Sequence, residues 1–154
     1  MLMSIKEGTS GEIDLQEDDP NMVHNMLRFL YVSDYQDDVE GDRPLLVNAN
    51  MYAMGDKYRI VDLKDLAKMK FSDALEAGWD IVSFPEVIET VYTTTLSSDR
   101  GLRDCLTPVL LKHKQELHEH EGFKGLVTNK LSDGEFAMDV IHAWADFGSS
   151  KKGS

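Results

Sequence analysis

Little in this chain is basic: 16 lysines and arginines face 28 aspartates and glutamates, for a formal net charge of −12. The imbalance is concentrated at one end, where residues 1–43 hold eleven acids and three bases. Binding to phosphate backbones needs clustered Lys and Arg. No such cluster occurs before Lys151-Lys152, so nucleic acid and anionic membrane surfaces are not expected partners. The single cysteine, Cys105, excludes an intramolecular disulfide. One thiol suits a reducing, nuclear or cytoplasmic compartment, and it reads as a small buried hydrophobe. No run of about 18 apolar residues is present to span a membrane. The opening Met-Leu-Met-Ser-Ile-Lys-Glu-Gly is too short and polar for a secretory signal. Apolar residues nevertheless make up 42% of the 154, enough for a core and against wholesale disorder.

What is present is mostly helical patterning. Glu12-Ile13-Asp14-Leu15 alternates as a short half-buried strand does. Asp19-Pro20 is a helix start, an Asp cap followed by Pro at the first position. Met22, Val23, Met26, Leu27, Leu30 and Tyr31 then recur at helical spacing. An acidic loop over 33–44 precedes a helix over 45–58. A further helix spans 63–77, with Gly78 as its stop. Pro85 opens the next, which the Thr93-Thr94-Thr95 run should end, because β-branched residues lose rotamer freedom in a helix. Ser98-Asp99 caps a long helix over 100–118 that Gly122 breaks. Helices over 123–131 and 135–147 follow, and 149–154 is expected to be a disordered tail. A lone strand cannot satisfy its own backbone groups, so its partner is expected in another chain or in a sheet this sequence lacks.

Chemical sites are weak by the same reading. His113, His118 and His120 lie five and two residues apart, out of phase for the i, i+4 pair of a zinc helix. In the acidic loop, aligning Gly41 with the sixth position of a calcium loop places Gln36 first and Val47 twelfth, where carboxylates are needed. The sequence shows no Gly-rich phosphate loop and no Ser-His or Cys-His arrangement. Neither catalytic residues nor a metal or cofactor are expected.

Three blocks carry a family resemblance. Glu12-Ile13-Asp14-Leu15-Gln16-Glu17-Asp18-Asp19-Pro20 resembles the strand and turn before the fourth helix of a BTB/POZ domain. Met26-Leu27-Arg28-Phe29-Leu30-Tyr31-Val32-Ser33-Asp34-Tyr35 resembles the end of that helix. Leu45-Leu46-Val47-Asn48-Ala49-Asn50-Met51-Tyr52-Ala53-Met54-Gly55-Asp56-Lys57-Tyr58 resembles the family's last helix, with its Asp-Lys-Tyr ending. The later stretch with Ser98-Asp99-Arg100-Gly101-Leu102-Arg103 is similar to BTB proteins abundant in filamentous fungi. The resemblance implies a mostly α fold: a partial BTB/POZ unit over 1–75, lacking its first half and carrying one or two short N-terminal strands, then a BACK-like helical extension over 76–148.

The resemblance also implies a protein-interaction module and not an enzyme, with no cofactor. The expected role is a scaffold or substrate adaptor for a cullin-RING ubiquitin ligase, whose partners are a cullin-type scaffold or another BTB chain, homo-oligomers included. The alternatives are a transcription- or chromatin-linked regulator acting through dimerisation, and a truncated relic without independent function. Ile5-Lys6-Glu7 is similar to the hydrophobic-any-glutamate motif that cullins contact, with Ile5 filling an apolar pocket and Glu7 fixing register. Tyr52 would add an aromatic anchor, although core packing is its plainer role. With the first half of the domain missing, the helices over 20–31 and 45–58 should be only partly covered, leaving Ile13, Leu15, Leu27 and Leu30 near an open surface.

Overall fold

A computed structural model describes residues 4–6, 12–14, 17–38, 43–78, 80–131 and 134–152, and of 4–6, 12–14, 129 and 146–152 the backbone alone. It is mostly helical. Two strands, β1 (Ser4–Lys6) and β2 (Glu12–Asp14), pair antiparallel with Ile5 opposite Ile13. The partner of the strand at Glu12 is thus in the same chain, which corrects the expectation that it lies elsewhere.

Helix α1 (Pro20–Val32) begins as its sequence requires. The Asn21 amide donates to the Asp19 carboxylate at 2.8 Å, and Pro20 occupies the first helical position, where its missing N–H costs nothing. Val23, Met26 and Phe29 point inward. The helix ends at Ser33, whose φ of 60° is left-handed, as its amide donates back to the Phe29 carbonyl.

Helix α2 (Pro44–Lys57) is the centre of the molecule. Val47, Asn48, Ala49, Met51, Tyr52, Met54 and Gly55 are all buried, so it is enclosed on more than one face. Helices α1, α3 (Val61–Ala77) and α4 (Phe84–Thr94) pack around it. The α2–α3 crossing is close: a Cβ on Gly55 would lie 2.8 Å from the Lys64 backbone nitrogen, so only glycine fits without a shift. The expectation that α2 is only partly covered is therefore corrected, because α4 folds back over it. The division expected at residue 75 falls inside α3, and one buried cluster runs continuously from Val23 to Val140.

The threonines of α4 extend it to Thr94. Thr90, Thr93 and Thr94 hydroxyls each donate to a carbonyl one turn back, at 2.7–2.9 Å, which satisfies them inside the helix. The single helix expected over 100–118 is two: α5 (Gly101–Lys112) and α6 (Lys114–Glu119), divided at His113 (φ −111°, ψ 26°). The break re-aims the chain so that Leu117, Phe123 and Leu126 reach the core. Next, α7 (Glu121–Gly125) runs directly into a π-helical segment, Leu126–Lys130. Helix α8 (Glu135–Lys152) lies against α5. Its backbone stays helical to Lys152, a correction to the disordered tail expected from 149. Among the described residues no helix is long and apolar enough to cross a membrane.

Candidate interaction surface

The apolar stripe of α1 does not end where burial ends. After Phe29 turns inward, Leu30, Tyr31 and Val32 are 55%, 88% and 59% exposed. Leu27, one turn before Leu30 and Tyr31, is half-buried. Successive helical residues point about 100° apart, so Leu30, Tyr31 and Val32 fan around the end of α1, where their exposed side chains form an apolar ledge.

The loop after the ledge is fastened beneath it. Tyr35 is buried, and its hydroxyl donates to Asn48 Oδ1 of α2 at 2.5 Å. Asn48 Nδ2 in turn donates to Asp37 at 2.7 Å, and Asn25 Nδ2 donates to the Gln36 carbonyl at 3.2 Å. From α3, Lys70 donates to the Tyr35 carbonyl at 3.2 Å and pairs with Asp34. Burial works against the charge on Asp34, but the Tyr35 amide and Lys70 together hold its carboxyl below the usual range. Burial, with Asp37 and Asp34 nearby, pushes the Tyr35 phenol far up, so it stays a neutral donor. Among the described residues no buried side-chain polar atom lacks a partner. A fully satisfied polar network holds one geometry, so the ledge stands on a rigid base.

A second network clamps the middle of the molecule. The Tyr52 hydroxyl donates to Asp99 Oδ1 at 2.6 Å, and Lys64 bridges Asp99 (2.8 Å) and Asp56 (3.0 Å) while lying 4.9 Å above the Tyr52 ring. Gly101 packs so tightly on this hydroxyl that a Cβ there would collide with it. Burial opposes ionisation of Asp99, yet Lys64, Tyr52 and the Gly101 amide outweigh it and lower its pKa. A third clamp centres on Arg103, 2% exposed. It donates to Thr95 Oγ1 (2.9 Å) and the Thr95 carbonyl (2.8 Å), pairs with Glu135 of α8 (2.9 Å) and stacks 4.4 Å from the Tyr92 ring centroid. Tyr92 hydrogen-bonds Asp139, which also meets Arg100.

The residues singled out from sequence fare differently. Ile5 lies in β1 opposite Ile13, and Glu7, like Leu15, falls outside the described residues. Tyr52 is 4% exposed with its hydroxyl engaged. Its ring is core and is not presented to a partner, which corrects its assignment as a contact anchor. The histidines are dispersed. His113 contacts Glu116, His118 lies beside Trp144, and His120 Nδ1 accepts the Phe123 amide. Cys105 is half-buried, and burial raises its thiol pKa, the opposite of an activated nucleophile. Sequence reading missed Arg103 and Lys64, because nothing local distinguishes a buried cation from a solvated one. Tyr31, which the helical spacing groups with the inward stripe, is exposed.

Compared with protein-family models, curated proteins and solved structures, the chain matches none.

Proposed function

We propose that this chain is a BTB/POZ-type protein-interaction module, an intracellular adaptor that binds a cullin-type ubiquitin-ligase scaffold and performs no catalysis. The observation that supports the reading most directly is the exposed Leu30-Tyr31-Val32 turn on its hydrogen-bonded base. Tyr is a residue type enriched at binding hot spots, and pre-ordering its support lowers the entropy cost of binding. These three residues lie inside a block whose sequence resembles the family. The hydrophobic-any-glutamate motif at Ile5 and Glu7 belongs to the same proposal. A dimerising regulator is the second reading, favoured by the two-stranded β1–β2 sheet, since an open strand edge can add a strand from a second chain.

Titration against purified cullin N-terminal domains tests the proposal. Tyr31→Ala and Leu30→Asp should each weaken binding at least tenfold, in the range of about 2 kcal/mol typical of hot spots. Met69→Asp, at an exposed position on α3, should leave binding intact. Absence of cullin binding, combined with a sedimenting dimer that Leu30→Asp converts to monomer, would transfer the ledge to the dimerisation reading.

A further inference from the structure

We draw no further inference here: the strongest candidate, the cavity of about 830 Å³ between the end of α3 and the first turns of α2 and α4, has its lining cations Arg43 and Lys70 already paired with Glu86 and Asp34, and nothing in the structure shows what covers it.

Discussion

Tyr31 and Tyr52 sit on neighbouring helices, α1 and α2, yet one is almost fully solvent-exposed and the other almost fully enclosed. Tyr52 meets α3 through Lys64 and the α4–α5 connection through Asp99, so ring and hydroxyl are both engaged. Tyr31 lies one residue before the end of α1, just ahead of the left-handed turn at Ser33. The contrast shows that residue type does not set the role here. A tyrosine becomes core where neighbouring elements converge on it, and stays solvent-exposed where its helix outruns its neighbours. The centre of the molecule should therefore answer to substitution in stability, and the end of α1 in binding.

The largest stability effect is expected at Arg103. Arg103→Ala strands the Thr95 carbonyl, breaks the ion pair with Glu135 and opens a void beside Tyr92. A large-to-small change at a buried position costs about 2–5 kcal/mol and a stranded buried acceptor about 1–3 kcal/mol, measurable by urea denaturation, while the partly solvent-exposed Glu135 adds little. A loss below about 1 kcal/mol would show that the clamp adds little.

Gly101→Ala comes next, at about 1–3 kcal/mol for overpacking, because the new methyl strikes the Tyr52 hydroxyl. Tyr52→Phe alone should cost about 1 kcal/mol for its hydrogen bond. The double variant should be more stable than the sum of the two losses implies, since removing the hydroxyl makes room for the methyl. Strict additivity would mean that the two residues do not share this contact.

Acidification sharpens the comparison further. The pKa of Asp99 is lowered in the fold, so its contribution is fully present above the unfolded value of about 3.9 and is lost as pH falls through the folded value. Stability should be level from neutral pH to about pH 5 and decline below about pH 4. Asp99→Asn should be less stable at neutral pH and less sensitive to acid, so that the two curves converge at the acid end. Parallel curves would remove Asp99 as a source of the pH dependence.

Tyr31→Ser should give the smallest stability change, within about 0.5 kcal/mol as for other surface sites, while weakening partner binding. A destabilisation of 2 kcal/mol would place Tyr31 in the structural class of Tyr52 and undo the contrast.

What could be read along the chain follows the range of the forces involved. The start of α1 at Asp19-Pro20 was legible because capping is a local hydrogen bond between residues two apart. The mostly helical class was legible because apolar spacing repeats within each helix. The stop at Gly78 was local as well. The break at His113 was not, because it serves to bring Leu117 and Phe123 onto residues of α8, far along the chain.

The candidate surfaces divide in the same way. Sequence alone determined the charge imbalance, the helical segments and the apolar character of residues 26–32, all of which depend on composition and short-range pattern. Only the tertiary structure decided that α4 would cover α2, that Arg103 would be buried between α4, α5 and α8, and that Tyr31 would face solvent while Tyr52 did not. Burial is a property of what other elements leave uncovered. It is set by the packing of segments remote in sequence, and no local spacing of apolar residues encodes which part of a stripe the neighbouring helices will reach.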